Sequence, residues 1–299
     1  MKARSSRARK RFNRIALIIL TRMFKLIAAV LPYRFSIAAG GVIGSIAYYA
    51  LPRERRRTIE HLSRGFPEHD PHWVKSTARR AFIHLGKCLM EEMAINRRRL
   101  QRVVSFNGRE RLRSAIDQGK GVVYVTGHIG NWEIMGAAVA AEHSLSVVAA
   151  PIEPEPVNDM IVGLRASMGV RTILRSRPGA AKELIRVFRE NRILGILIDQ
   201  DTDVEGAFVN FMGIPAWTPT AAAQMAIKFG APVVFGYIQR QDDGHHIITV
   251  EGPLELHRTG NDDEDIRTNT AMFTSRIEEV IRRNPEQWVW MHRRWRRQP

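Results

Sequence analysis

A chain of 299 residues is long enough for one large α/β domain or two small ones, with room for a substantial core. Its 46 Lys and Arg against 30 Asp and Glu give a formal net charge of +16, so its partner is expected to be polyanionic: nucleic acid, an anionic membrane surface or an acidic carrier protein. The single cysteine, Cys88, excludes a disulfide framework and a cysteine-rich metal site.

Residues 1–14 carry Lys2, Arg4, Arg7, Arg9, Lys10, Arg11 and Arg14 without an acid, and read as a tail that is disordered or lies on an anionic surface. Ile15 to Leu31 is apolar but interrupted by Arg22 and Lys25 on one side of a helix, a pattern for lying in a membrane interface and not for crossing it. Phe35 to Leu51 has no charge, yet its 17 residues include Gly40, Gly41 and Gly44, at the lower limit for a span. Basic residues flank the apolar region on both sides, the second group being Arg53, Arg55, Arg56 and Arg57. Both flanks are therefore expected on the cytoplasmic side, with a monotopic anchor between them; a buried helical hairpin is the alternative. Charges inside the run and the lack of a small-x-small cleavage site argue against a signal peptide. The organisation expected is a basic tail and anchor over 1–51 and one domain over 52–299.

Beyond the anchor, helical spacing covers Trp73 to Asn96 and Arg109 to Gln118. Val122 to Val125 reads as a buried strand broken by Gly127 and Gly130, with Asn131 as N-cap of a helix running to His143. Strands then alternate with helices: Ser146 to Ala150, Pro156 to Met168, Arg171 to Arg175, Ala180 to Glu190, Ile193 to Ile198, Pro219 to Phe229, Ala231 to Gln239 and His246 to Val250, closed by a helix from Asp263 to Asn284. The fold class is α/β, with a mainly parallel central sheet flanked by helices.

His128 thus sits in a tight turn at the carboxyl end of a strand, and Glu133 in the first turn of the following helix. With the histidine outside the helix, the His-x4-Glu spacing allows the two side chains to converge, as a base and the carboxylate that orients it. The bland reading is a helix-dipole glutamate and a satisfied loop histidine. Arg175 and the Asp199/Asp201 pair also end strands and are expected in the same crevice. The aspartates read either as a divalent-metal pair or as structural acids held by arginine.

Gly127-His128-Ile129-Gly130-Asn131-Trp132-Glu133, Asp199-Gln200-Asp201, the Phe208 to Gly213 segment and the Asn284 to Trp295 tail occur in one order that resembles the bacterial lipid A late acyltransferases. Leu62 with Phe66-Pro67-Glu68 is similar to that family's early signature. The resemblance implies a glycerolipid acyltransferase fold on the cytoplasmic face of the bacterial inner membrane, in lipopolysaccharide biosynthesis, with no metal or redox cofactor. It implies an acyl thioester donor, on acyl carrier protein or coenzyme A, a glycolipid acceptor and no nucleic acid partner. His128 is then the base and Glu133 its orienting partner, and N–H groups at the Asn131 helix start receive the oxyanion. Arg175 holds an anionic headgroup, and Phe208, Phe211 and Met212 line the chain groove or are plain core. Asn210 stands where the family often has proline, and Met212 where it often has phenylalanine. Two other classes remain as alternatives, a basic nucleic-acid-binding protein and a metal-dependent hydrolase; a lysophospholipid acceptor with an acyl-coenzyme A donor is the enzymatic one.

Overall fold

The computed structural model describes residue 15 and residues 17–28, 30–175 and 177–299; the basic tail expected over 1–14 lies outside them. Helix α1 (17–28) precedes α2 (Tyr33–Ala50), α3 (Pro52–Gly65), α4 (Pro71–Ala94) and α5 (Arg97–Val103). The sheet region follows as β1 (Val104–Asn107), α6 (Arg109–Ile116), β2 (Val122–Thr126), α7 (Trp132–Glu142), β3 (Leu145–Ala149), α8 (Glu155–Ser167), β4 (Arg171–Leu174), α9 (Ala180–Arg189) and β5 (Ile193–Leu197). The hairpin β6 (Gly206–Phe211) and β7 (Ile214–Pro219) leads to α10 (Ala221–Phe229), β8 (Val233–Arg240), β9 (His246–Glu251) and α11 (Asp262–Arg283).

Seven strands form one sheet in the order β1-β9-β8-β2-β5-β3-β4. Five of them, β8 to β4, run parallel, whereas β9 is antiparallel to β8 and β1 follows β9. All five residues of β2 are buried, because a strand covered on both faces needs apolar side chains at every position. Its alternate residues divide between two cores: Val123 and Val125 pack with α9, α10 and α11 residues such as Val187, Ala222 and Ile277, and Val122 and Tyr124 with α6 and α7 residues such as Leu112 and Ile134.

The connections place the site. From β2 the chain crosses through α7 to β3, on one side of the sheet order, and from β5 it crosses through the hairpin and α10 to β8, on the other. The crevice beyond the carboxyl ends of β2 and β5 is therefore the point where strand order reverses, the usual ligand position in an open sheet.

The glycines of α2 serve packing. A Cβ at Gly40 would come within 2.4 Å of the Gly86 carbonyl oxygen, and one at Gly44 within 2.2 Å of that of Phe82. Helix α2 thus lies on α4 backbone to backbone, so part of the segment expected as an anchor is packed on the rest of the chain. Among the described residues no single helix is long and apolar enough to cross a membrane; α2 and α3 meet at 92°.

Candidate active site

His128 leaves β2 in a turn that two glycines make possible. Gly130 has φ +59°, and a Cβ there would lie 2.1 Å from the Ile238 carbonyl oxygen. At Gly127 a Cβ would lie 2.9 Å from Asp199 Oδ2, so the bare backbone lets that carboxylate pass close by. Asn131 caps α7 as expected, its Oδ1 accepting from the Ile134 N–H at 3.2 Å.

Asp199, two residues past β5, is the carboxylate that meets the imidazole. His128 Nδ1–H donates to its Oδ1 at 2.7 Å, the His128 backbone N–H to its Oδ2 at 2.6 Å, and Trp288 Nε1–H to Oδ2 at 2.7 Å. Burial alone would raise this carboxyl, but the adjacent His128 imidazole and these donors outweigh it and hold Asp199 well below the usual carboxylate range. With Nδ1–H engaged, Nε2 carries the lone pair, and it accepts from the Gln200 side-chain amide at 2.8 Å. The same amide also reaches His292 Nε2. Burial, with His128 second, lowers His292 to about 3, so it is neutral and can accept.

Glu133 does not fill the role expected of it. Its carboxylate accepts from Arg165 Nε at 2.8 Å and Nη2 at 2.5 Å, and from Trp132 Nε1 at 3.2 Å, and no hydrogen bond joins it to His128. The first turn of α7 aims this side chain at α8, while the strand next to β2 supplies the acid that reaches the imidazole. Arg175 follows the edge strand β4, two strands from β2's neighbour β5, and is exposed. Its charge is felt at Asp203.

The two aspartates have separate partners, as in the structural-acid reading for Asp201. That side chain is buried against the Arg297 backbone N–H at 2.8 Å and the guanidinium groups of Arg296 and Arg297. Among the described residues no group of three His, Cys, Asp or Glu is arranged to hold a metal. The Asn131 side chain is buried and engaged within the protein: its Nδ2 donates to the Cys88 carbonyl and to Glu91, which in turn receives Arg240 and His246.

Phe208 to Gly213 is the β6–β7 hairpin. Phe211 is fully buried between Trp288, Trp295 and Arg294, and Met212 packs in the same core at φ +56°, so both belong to the plain-core alternative. Phe208 is half-buried against Trp217. An apolar seam of about 30 Å³ does lie beside the turn, between α7 and the sheet, walled by Tyr124, Trp132, Met135, Leu145, Val147 and Leu197.

Gln200, Trp288, His292 and Arg165 were not assigned by sequence reasoning. The tryptophan-rich tail was the signal for two of them. It pairs Trp288 with Ile129 in a β-bridge, and the Gln287 carbonyl accepts the Gly130 N–H at 2.7 Å. Alternation would turn Gln200 away from its neighbours, but β5 ends at Leu197 and the rule no longer applies.

The sequence matches the model of the family described as bacterial lipid A biosynthesis acyltransferase over residues 4–297. A phosphatidylinositol mannoside acyltransferase of Mycobacterium tuberculosis is 29% identical over 146 residues, which are 47% of this chain; the match spans only about half, 46%, of that relative's length. One of the same name from Mycolicibacterium smegmatis is 23% identical over 86% of this chain and 85% of its own length. The lipid A biosynthesis lauroyltransferase of Escherichia coli is 24% identical over 90% of this chain and 88% of its own.

Proposed function

The chain belongs to the bacterial lipid A biosynthesis acyltransferase family, and we propose that it moves a fatty acyl chain from an acyl thioester, on acyl carrier protein or coenzyme A, to a hydroxyl of a lipid A precursor. The observation that carries this reading is the Asp199–His128 pair at the carboxyl ends of adjacent strands, which among the described residues leaves Nε2 to the Gln200 amide alone.

The acceptor hydroxyl takes the place of the Gln200 amide at Nε2. Nε2 removes the hydroxyl proton as the oxygen attacks the thioester carbon, and Asp199 keeps Nδ1–H in position and stabilises the imidazolium. Charge on the thioester oxygen is received by N–H groups at the start of α7. The carbon–sulfur bond then breaks, and the imidazolium returns its proton to the departing thiolate. A base of this kind contributes about 100- to 10,000-fold in rate. The seam under Trp132, opened by movement of α7, takes the acyl chain in place of the expected Phe211 and Met212. Glu133 acts at one remove, by anchoring Arg165 between α7 and α8.

A lipid surface supplies the acceptor. Twelve of the fourteen exposed large apolar residues among the described ones lie between Ile15 and Leu51, which gathers them on α1, α2 and their flanks. Arg22, Lys25, Arg34, Arg53 and Arg56 are exposed on the same segment or its edge, each worth about 1 kcal/mol beside anionic headgroups. This supports a monotopic attachment to the cytoplasmic face of the inner membrane.

The test is transfer by the purified full chain, with acyl carrier protein and coenzyme A thioesters each offered to a lipid A precursor, a phosphatidylinositol mannoside and a lysophospholipid. Transfer to the lipid A precursor, lost in His128→Ala with unchanged circular dichroism, is the expected result. The names of the mycobacterial relatives make the mannoside the second acceptor. Undiminished transfer by His128→Ala would overturn the mechanism.

A further inference from the structure

We propose a second ligand site, for a phosphate ester of sugar size, at the end of the sheet opposite His128. An open cavity of about 480 Å³ is bounded there by Ser146, Arg171, Thr172, Glu183, Arg186 and Arg192, among others. Ser146 and Arg171 pair at the beginnings of β3 and β4, and Arg192 directly precedes β5. Arg192 and Asp199 are separated along β5 by about 20 Å at the rise of an extended strand, so a molecule in this cavity touches none of the reacting groups.

The walls carry donors without acceptors. The Arg192 guanidinium is pinned by Glu190 at 2.8 Å and Ser146 Oγ at 2.6 Å, yet its Nε is buried with no hydrogen-bond partner. Thr172 Oγ1 is buried and unpartnered as well. The exposed Arg171 side chain has no hydrogen bond or ion pair among the described residues. Buried polar groups left unpaired are costly and uncommon, and two in the wall of one cavity, beside an exposed guanidinium free to close over a ligand, fit an acceptor-rich anion.

Charge gives the same sign. Three arginines face one wall acid, Glu183, while Glu190 engages both Arg186 and Arg192 from outside the wall. The carboxyl ends of α8 and α9 would repel an anion, and Arg186 in the last turn of α9 offsets that field. A single phosphate would leave most of the volume empty, and the cavity lies in the range of small-molecule sites. A phosphate attached to a polar ring fits both the size and the polar wall. Its source is either a free sugar phosphate or the phosphorylated ring of a lipid headgroup.

Calorimetry and thermal melting of the full chain with inorganic phosphate, glucose 1-phosphate and vesicles carrying phosphatidylinositol 4-phosphate test the site. Saturable binding of glucose 1-phosphate supports a soluble ligand, and binding confined to the vesicles supports a headgroup, provided Arg171→Gln and Thr172→Val each weaken it about tenfold. Thr172→Val removes an unpartnered buried hydroxyl and keeps the shape, so it folds at least as well as the parent. Acyl transfer is unchanged in both variants. Absence of saturable binding by glucose 1-phosphate and vesicles alike, or binding that both variants retain in full, overturns the proposal.

Discussion

Asp199 Oδ1 lies 2.7 Å from His128 Nδ1, across 71 residues of sequence, while Glu133, five residues from His128, is bound to Arg165. The acid that completes the base therefore comes from the neighbouring strand. Asp199→Asn should lower kcat about 100-fold or more, because an amide neither fixes the tautomer nor stabilises the imidazolium. Glu133→Gln should cost less than Glu133→Ala, since an amide oxygen still accepts from Arg165. Steady-state kinetics of the three variants check this; a larger loss from Glu133→Gln than from Asp199→Asn would reverse the assignment.

Gln200 shields the atom that must react. Replacing it with alanine frees Nε2 while Asp199 still holds Nδ1, so diethyl pyrocarbonate should modify His128 several-fold faster in Gln200→Ala than in the parent. Mass spectrometry of the modified peptide reads the rate. Equal rates would mean that the amide leaves the imidazole spontaneously in solution.

Three histidines, His61 and His84 buried and His292 half-buried, weaken the fold as the medium turns acid. Burial first, and nearby cations second or third, lower His61 to about 4, His84 to about 3 and His292 to about 3. The unfolded chain takes up protons at these groups near pH 6.5 and the folded chain does not, so their stabilisation is complete above that pH and is lost as pH falls toward 4. Together they give a slope of up to about 4 kcal/mol per pH unit in that window. Melting temperature should be flat from pH 7 to 8 and drop steeply below 6. His84→Asn or His292→Asn should make the drop shallower.

The outward face of α2 should decide attachment to lipid. Val42 and Ile46 are exposed one helical turn apart, and Val42→Glu with Ile46→Glu puts two carboxylates on that face without disturbing the Gly40 and Gly44 side. Cosedimentation with vesicles of phosphatidylglycerol is expected to fall strongly, with transfer to detergent-dispersed acceptor retained. Full vesicle binding by this variant would move the contact to another surface.

Much of the scaffold was readable because its signals are local. The run Val122 to Val125 is apolar at every position, and only a strand covered on both faces needs that; the Asn131 cap follows from one residue type before a helix. The pairing of β2 with β5 is not local. Spacing offered Glu133 to His128, and only the strand order brings Asp199 alongside. The β6–β7 hairpin was hidden for a related reason: its turn is Met212-Gly213, with a methionine at positive φ where Asn or Asp would have announced it. Arg175 directly follows a strand, but that is an edge strand, and its end is delivered to solvent and not to the reversal point.

The backbone contact between α2 and α4 has a mechanical meaning. Gly86, against which α2 rests, and Glu91, which holds Asn131 and so the turn of His128, are on one helix, about 7.5 Å apart along its axis. Helix α4 therefore links α2 directly to the turn that carries the base. On the attachment proposed above, with α2 in the headgroup layer, the imidazole would ride at one fixed height above the acyl chains, and an acceptor would be chosen by how far its hydroxyl stands out of the bilayer as much as by its shape.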